Sequence, residues 1–479
     1  MAALAGTGAA LSATLLIAPP AAEAKVPVWP AGVKTALPAN LQSPAKVSTA
    51  RYLAKMRKRM KKRSRKRDLG RDVSVFVADL ETGKRVFSRR ARNAQTPASV
   101  MKSATALAVL SARGAYHQFA TKVIRSGNTL TLVGSGDPLL ESADIRELAS
   151  RTALAVREYG EPTGKLRIQF DDSLFEWPTS PAGWLSNYYP SYAKRPFGLT
   201  RRWISTNDGA KDAATYFRKA LREDENLAVR RGVIRVGAGE YEAAPGTVPD
   251  PAAIPAPTPP TAEPVNPDPA ASPAVDPTTV PSPVAPPVPI APTLIAQFDD
   301  HTVADAVTAM MPSSDNSIAE NLIRHVASAR GASTSAEGAA AAVTAELKSL
   351  RVPLRNTRIV DGSGLSRQNK MSARTSAAIN RAMMDPSRPD LSTAIFAMPR
   401  AGVSGTLSSR FGSKKTKCAR DRVSAKTGTL RSVVTLSGVA AGKDGRPRVF
   451  SILINDYRSY TSTARYWIDA MGAAIAGCR

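Results

Sequence analysis

One proline-rich stretch constrains the fold of this chain more than any other feature. Of its 37 prolines, 18 lie between Pro245 and Pro292, among Ala, Val, Thr and Asp and with no apolar periodicity. Proline lacks a backbone N–H and fixes φ, so such a stretch forms neither a regular helix nor a central strand. We expect residues 243–292 to be an extended, disordered loop, a solvated spacer in preference to a recognition segment. The sequence that forms the cores must therefore lie on either side of it.

The size of the chain indicates more than one domain. At 479 residues it exceeds what a single hydrophobic core usually supports, so two or three domains are expected. Hydrophobic residues make up 43% of it, which is typical of globular proteins and excludes a wholly disordered chain.

The first 24 residues are small and apolar, with a hydrophobic stretch at 11–18, a Pro-Pro breaker and the small-x-small pattern Ala22-Glu23-Ala24. This predicts a signal peptide over residues 1–24 and hence an exported protein that acts outside the cytoplasm, in the periplasm or at the cell wall. Nothing basic precedes the apolar stretch, so an upstream start or an uncleaved anchor remains an alternative. We expect residues 25–68 to be a tether that ends in a basic segment.

The formal net charge of +27 raises nucleic acid as a partner, but the distribution of charge argues against it. Residues 51–67 alone carry eleven Lys or Arg and no acid. An exported protein meets other polyanions, so this segment predicts contact with an anionic wall polymer or a membrane surface. A solvated basic helix or a nucleic-acid arm is the alternative.

The cysteines and histidines limit the chemistry. Cys418 and Cys478 are far apart and form no zinc or redox motif; a disulfide between them and two buried free thiols are equally expected. None of His117, His301 and His325 lies in a catalytic or metal-ligand pattern. We therefore predict no metal, no cofactor and a nucleophile activated by a base other than histidine.

The pattern of apolar residues predicts an α+β fold. Apolar runs at 73–80 and 85–90, joined by a Gly-containing turn, indicate a hairpin, and small and apolar residues at helical spacing indicate a helix from Ser99 to Gly114. Near the end, two strand-like runs and a helix at 461–476 indicate an antiparallel sheet with flanking helices.

The region between these parts has a different pattern. Residues 119–296 alternate short β-like runs with helical ones, which predicts a mixed α/β insertion that includes the proline-rich loop. The interrupted domain would then comprise residues 69–118 and 297–479.

Three short motifs carry the candidate chemistry: Ser99-Val100-Met101-Lys102, Ser314-Asp315-Asn316 and Lys426-Thr427-Gly428. Each alone is weak, because a helix cap, a turn and a strand end would explain them separately. Together, in this order and with helix and strand contexts, they match the signature of penicillin-binding proteins and class A β-lactamases.

The spacing of the motifs suggests how they act. Residues three apart on a helix share a face, so Lys102 can bring its amine to the hydroxyl of Ser99. That amine needs a lowered pKa to act as a base, and burial beside a second cation, Lys426, would lower it. Ser314 can then shuttle a proton to the leaving amine, while Asn316 holds Lys102 or the substrate amide.

The third motif suggests a binding edge. The ammonium of Lys426 and the hydroxyl of Thr427 suit a terminal carboxylate, and Gly428 would let a substrate backbone lie against the strand. The backbone N–H groups of Ser99 and Thr429 would form an oxyanion hole.

The chain also resembles a specific family over residues 72–479: the D-alanyl-D-alanine carboxypeptidases/endopeptidases of the penicillin-binding protein 4 type (class C, peptidase family S13). The resemblance is carried by TPASVMKSATAL around the nucleophile, LVGSGDPLL at 132–140, SSDNSIAENLI at 313–323, DGSGLSR at 361–367, GVSGTLSSRF at 402–411 and SAKTGTL at 424–430. It implies a transpeptidase-like domain split by a large insertion, peptidoglycan peptides as substrates and acylation by β-lactam antibiotics.

By the same resemblance the catalytic set is Ser99, Lys102, Ser314, Asn316 and Lys426, the residues that the spacing selects. The stretch with Gly134, Gly136 and Asp137 is interpreted as a turn of the insertion. Asp361 to Ser366 is interpreted as a conformational loop.

Two other functions compete with this interpretation. A class A β-lactamase needs an additional glutamate on a loop between the second and third motifs, and Glu320-Asn321 lies too close to Ser314 to be that loop. A non-catalytic wall-binding scaffold would act through residues 51–67, but it has no need of an intact catalytic set.

Overall fold

The computed structural model describes residues 37–42, 44–160, 162–237 and 291–478. The predicted signal peptide and all but the last two residues of the predicted proline-rich loop lie outside these ranges. Among the described residues, no helix has the length and apolar character needed to cross a bilayer.

The described residues form α-helices and β-strands in mixed order. The strands are β1 (Asp72–Asp79), β2 (Arg85–Arg89), β3 (Ala94–Gln95), β4 (Thr121–Ser126), β5 (Thr129–Val133), β6 (Arg167–Asp171), β7 (Ile234–Arg235), β8 (Thr293–Phe298), β9 (Met371–Ser372), β10 (Val423–Leu430), β11 (Val433–Ala441) and β12 (Pro447–Asn455). The helices are α1 (Thr49–Arg63), α2 (Met101–Arg113), α3 (Ser142–Glu158), α4 (Tyr188–Ser191), α5 (Gly209–Glu223), α6 (Val303–Ser313), α7 (Asn316–Ala329), α8 (Ala336–Ser349), α9 (Ala373–Ala382), α10 (Thr393–Phe396) and α11 (Thr461–Ile475).

The main sheet is antiparallel, with the strand order β10-β11-β12-β1-β2. Strands β11 and β12 are buried along their whole length, because helices cover both faces of the sheet. The two-residue alternation of a strand separates these faces: Val75 and Val77 join the core that contains α1 and α11, whereas Phe76 and Ala78 join the core that contains α2 and α6–α10.

Ordered structure begins earlier than the sequence suggests, because the basic segment forms α1. Tyr52, Met56 and Met60 are spaced four apart, which aligns them on one face of the helix, and all three are buried against the α11 side of the main sheet. Burial of each such side chain is worth about 1.5–3 kcal/mol. The predicted tether is thus, in its last part, a structural helix of the main domain; the high density of Lys and Arg obscured the apolar face.

The second sheet has the order β7-β6-β5-β4-β8 and mixes antiparallel with parallel pairs. Helices α3 and α5 cover it and form a separate core with it. Strand β8 ends at Phe298, two residues beyond the predicted end of the insertion at 296. The division into domains remains a prediction, but each sheet has a core of its own.

Several predicted elements lie where the sequence places them. The hairpin is β1–β2, helix α2 has its C-cap at Gly114, and the closing elements are β11, β12 and α11. Cys418 and Cys478 form a disulfide, which resolves the alternative left open by the sequence. It ties the segment before β10 to the residues that follow α11.

Candidate active site

Ser99 lies in a 3-10 turn, Ala98–Val100, that leads directly into α2. The residue before it, Ala98, has φ +49°, in the left-handed region that is costly for a residue with a Cβ, of the order of 1–3 kcal/mol. A Cβ on Gly364 would lie 2.0 Å from the Ala98 carbonyl oxygen, so only glycine fits there. The packing around it therefore holds this turn and leaves Ser99 partly exposed.

Lys102 lies one helical turn after Ser99 and its side chain is fully buried. Its Nζ donates to Ser99 Oγ (3.2 Å), to Asn316 Oδ1 (2.7 Å) and to the carbonyl oxygen of Ser363 (2.7 Å). Three acceptors satisfy the three N–H donors of an ammonium group, so the amine is fixed in direction as well as in position.

The environment of Lys102 favours an amine that can lose its proton near neutral pH. Burial, the largest cause, lowers its pKa to about 8, although the carboxylates of Asp361, Glu320 and Asp315 act in the opposite direction. A lysine in water keeps its proton to about pH 10.4. The shift brings Lys102 into the range in which a general base is effective.

The loop at 361–366 holds the carbonyl that Lys102 contacts. Glu320 is fully buried, and its Oε1 accepts the N–H groups of Gly362 (3.1 Å) and Ser363 (2.8 Å). Asp361 is equally buried and accepts the N–H groups of Gly364 (2.8 Å) and Ser366 (2.5 Å). The backbone N–H groups of the loop thus bind two buried carboxylates, those of Glu320 and Asp361. These contacts are compatible with its interpretation as a conformational loop, which stays a prediction.

The second motif connects α6 to α7. Ser314 caps the end of α6 in the left-handed region, with φ +61°. Asp315 caps the start of α7 and accepts the N–H of Ile318 (3.1 Å), so the turn predicted for this motif on its own is present as well. Asn316 contacts Lys102 through its oxygen and donates to the carbonyl of Tyr192 through its nitrogen (2.8 Å).

Lys426 lies on β10 and is fully buried. Its Nζ donates to Ser314 Oγ (2.8 Å) and to the carbonyl oxygen of Thr427 (3.1 Å). Burial, and to a smaller extent the charge on Lys102, hold the pKa of Lys426 well below its ordinary value. The site therefore disfavours the state in which both amines are charged, and the three motifs converge on one place.

Gly428 is also needed for the packing of the protein itself, beside the substrate-binding role predicted from the sequence. A Cβ on Gly428 would lie 2.2 Å from Thr435 Oγ1, 3.0 Å from the Ala98 Cβ and 3.0 Å from the Pro97 carbonyl oxygen. Thr435 Oγ1 itself donates to that carbonyl (2.9 Å). The glycine therefore allows the strand to approach the turn that carries the nucleophile.

Strand β10 is an edge of the main sheet, so alternate backbone groups on it point away from β11. The N–H of Ala425 donates to the carbonyl of Pro399 (2.9 Å), which identifies the outward positions. By alternation, the backbone groups of Thr427 and Thr429 point the same way, and Thr429 is exposed. Thr427 Oγ1 also lies 2.7 Å from Thr406 Oγ1. This edge therefore offers backbone donors and hydroxyl groups to an extended ligand.

The predicted insertion contributes residues to the surroundings of the site, which the sequence did not reveal. Trp184 Nε1 donates to Asp361 Oδ2 (2.7 Å), and the N–H of Lys194 donates to Ser317 Oγ (2.9 Å). Tyr189 and Trp184 pack with Leu430, two residues after the third motif. The cluster of Trp and Tyr at 184–192 was the available signal, because aromatic residues are unusually dense there.

Two of the histidines, His301 and His325, contact the glycine-containing turn that follows β5. His301 Nδ1 lies 2.8 Å from Asp137 Oδ2, and His325 Nε2 lies 2.9 Å from the carbonyl oxygen of Gly136. Asp137 also accepts the N–H of Leu139 (2.8 Å). This environment suits the interpretation of the stretch as a structural turn.

Comparison with known proteins places the chain in one family. A model of the D-Ala-D-Ala carboxypeptidase 3 (S13) family matches residues 56–224 and 278–475. A carboxypeptidase of Mycobacterium tuberculosis is 27% identical over 400 residues, which cover 79% of this chain and 75% of that protein. Carboxypeptidase DacB of Mycolicibacterium smegmatis is 34% identical over 187 residues, which cover 39% of this chain and 40% of that relative.

The fold has a counterpart among solved structures. Penicillin binding protein 4 of Haemophilus influenzae matches with a TM-score of 0.63 and 18% identity, over 87% of this chain and 98% of that one. A second crystal structure of that protein, in complex with a β-lactam, matches with a TM-score of 0.58 and 19% identity. The predicted α+β class with a penicillin-binding fold is thereby confirmed. The chain belongs to the D-Ala-D-Ala carboxypeptidase 3 (S13) family and is a serine-type carboxypeptidase.

Proposed function

We propose that Ser99 is the nucleophile that cleaves the terminal D-alanyl-D-alanine bond of peptidoglycan peptides, with Lys102 as its base. The observation that carries the proposal is the 3.2 Å hydrogen bond between Lys102 Nζ and Ser99 Oγ, made by a fully buried amine whose pKa is lowered to about 8. A serine hydroxyl needs such a partner, because it is a weak nucleophile at neutral pH.

The reaction steps are inferred from the contacts. Neutral Lys102 accepts the hydroxyl proton as Ser99 Oγ attacks the carbonyl carbon of the scissile bond. The C–N bond then breaks, and the proton returns to the leaving nitrogen through the hydroxyl of Ser314, which Lys426 holds from the other side at 2.8 Å. Water hydrolyses the resulting ester and restores Ser99, with Lys102 again accepting a proton.

Substrate binding is assigned to the outer edge of β10. An extended peptide would pair with the outward backbone groups of this edge strand, as in other strand-addition complexes. The terminal carboxylate would lie near Lys426 and the hydroxyl of Thr427, and the N–H groups of Ser99 and Thr429 would receive the oxyanion. Asn316 keeps Lys102 aligned by accepting one of its N–H groups.

The same acyl-enzyme chemistry accounts for two further activities. Carboxypeptidase and endopeptidase reactions differ only in the leaving group beyond the scissile bond, so one site serves both. β-Lactams would acylate Ser99 as well, which the β-lactam complex of the Haemophilus influenzae protein supports. These substrates occur outside the cytoplasm, in line with the signal peptide predicted at residues 1–24.

One experiment separates this function from its two competitors. The protein is incubated with a fluorescent penicillin and, separately, with a peptide that ends in D-alanyl-D-alanine. Stable labelling at Ser99 together with release of D-alanine supports the proposal. Rapid turnover of the penicillin would indicate a β-lactamase, and the absence of both reactions would indicate a wall-binding scaffold.

A further inference from the structure

A deep basic groove lies on the α1 and α11 side of the main sheet. It has a volume of about 740 Å³ and is lined by seven Lys or Arg side chains and no acidic one. Three separate segments supply them: α1 with the turn after it, the loop before β10 and the β11–β12 turn. These side chains include Lys62, Lys66, Lys414 and Lys415.

Helical geometry selects which charges of α1 face the groove. Arg59, Lys62 and Arg63 follow the spacing i, i+3, i+4 and therefore share one face of the helix, and Lys66 follows in the turn after it. The remaining basic residues of this stretch, which include Lys58, Lys61 and Arg65, do not line the groove. A helix that was merely solvated would have no reason to align its cations over a concavity formed by two other segments.

Four cations of the groove are not neutralised within the part of the chain that the structure describes. None of Lys62, Lys66, Lys414 and Lys415 forms an ion pair with a carboxylate there. Lys66 Nζ instead lies 4.6 Å above the ring of Trp467. Like charges held together repel one another, and a bound polyanion would relieve that repulsion.

The walls of the groove are fixed before any ligand arrives. The disulfide between Cys418 and Cys478 anchors the loop that carries Lys414 and Lys415 to the segment after α11. Arg59 donates to the carbonyl oxygen of Cys478 (2.7 Å), which joins α1 to the same point. A preformed site loses less entropy on binding than one that must first be ordered.

We propose that this groove binds a linear phosphodiester polymer, of the kind in which polyol phosphates are linked in a chain. Lysine ammonium groups are strong point-charge partners for phosphate. Because the cations of the groove lie around a concavity, they can surround a thin chain. The flat surface of a bilayer would contact only the outermost ammonium groups. The choice of a wall polymer as the source rests on the cell-wall function proposed above.

The groove and the active site lie on opposite faces of the main sheet, because α2 packs on the other side. A bound polymer therefore leaves Ser99 accessible. The groove would keep the enzyme within the wall while it acts on successive peptides.

The test measures binding of the full chain to poly(glycerol phosphate) at several salt concentrations. The variant Lys62→Gln/Lys414→Gln/Lys415→Gln should raise the Kd about tenfold or more and make its salt dependence shallower, because counterion release falls with each lost contact. The matched control, Lys58→Gln/Lys61→Gln/Arg65→Gln, removes the same charge outside the groove and should change the Kd less than about threefold.

Both variants should keep wild-type penicillin labelling, which establishes that they are folded and is independent of polymer binding. Equal losses in the two variants would overturn the groove in favour of diffuse attraction. Stronger binding to phosphatidylglycerol vesicles than to the polymer, or no binding to the polymer, would also overturn it. A protein that binds the polymer but fails to label would contradict the proposed function alone.

Discussion

The two faces of the main sheet differ in what their buried charges contact. On the α2 face, Lys102, Lys426, Asp361 and Glu320 are fully buried in and around the active site. On the α1 face, the buried Arg448 pairs with Asp444 (2.7 Å), the lysines of α1 point outward, and Met56 and its neighbours fill the interior.

This difference indicates which face of the sheet is suited to catalysis and which is suited to binding. Burying the charged form of an amine or a carboxylate costs free energy, so burial shifts the pKa of the group. Loss of any hydrogen-bond or ion-pair partner of such a group is then strongly destabilising. A single exposed charge contributes little free energy to stability or binding, so exposed charges have a marked effect only when several act together. Substitutions of the buried charges around the active site should therefore change reaction rates, and substitutions on the α1 face should change stability or association.

The largest expected effect is that of Ser99→Ala. Removal of the attacking oxygen should abolish both penicillin labelling and D-alanine release, as measured by gel fluorescence and an amino-acid assay. Ser103→Ala is a suitable control, because Ser103 lies on the same helix and its hydroxyl has no hydrogen-bond partner among the described residues. Residual labelling of Ser99→Ala at the wild-type rate would remove this serine from the mechanism.

Lys102→Ala should leave a folded protein that acylates extremely slowly. General base catalysis contributes about 10²–10⁴ in rate, so the labelling rate should fall by a factor in that range. Lys122→Ala, at an exposed position, provides the matched control. If the folded Lys102→Ala protein labelled normally, the base would have to be another group.

The rate of acylation should rise with pH and level off above about 8, because only neutral Lys102 accepts a proton. Glu320 acts here as a positioning residue: burial raises its own pKa to about 7, and above that pH its negative charge raises the pKa of Lys102. In Glu320→Gln the ascending limb should therefore move to lower pH, as measured by stopped-flow labelling.

Glu346→Gln is the control for that shift. Glu346 is also a buried glutamate, but it pairs with Arg330 (2.7 Å) and does not act on Lys102. If the acylation rate of Glu320→Gln rises at the same pH as that of the wild type, the charge of Glu320 does not affect the pKa of Lys102.

The smallest expected effect on catalysis is that of Met56→Ala. The cavity it leaves between α1 and the sheet should lower the free energy of unfolding by about 2–5 kcal/mol, as measured by urea denaturation. The labelling rate of the folded protein should not change. A parallel loss of rate would show that the two faces are coupled and would break the comparison.

The sequence predicted most of the site because its chemistry depends on short spacings. The distance from Ser99 to Lys102 is fixed by a helix, and the comparisons confirm the α+β class, the family and a serine-type carboxypeptidase. The individual catalytic roles remain predictions, although the structure brings all five residues together.

Contacts between distant segments are the part that the sequence could not supply. Glu320 looks like any residue of an amphipathic helix, and only the fold places it under the N–H groups of Gly362 and Ser363. The contact of Trp184 with Asp361 is hidden for the same reason. The role of α1 was missed because its charge outweighs its apolar face in composition.

The bridge between Cys418 and Cys478 makes the wall of the groove depend on redox conditions. Its cysteines are 60 residues apart, and closing such a loop restricts the denatured chain by about 4 kcal/mol in the chain-entropy model. A thiol reductant, or synthesis in a reducing cytosol, would release the wall that carries Lys414 and Lys415. Studies of polymer binding therefore require oxidised material.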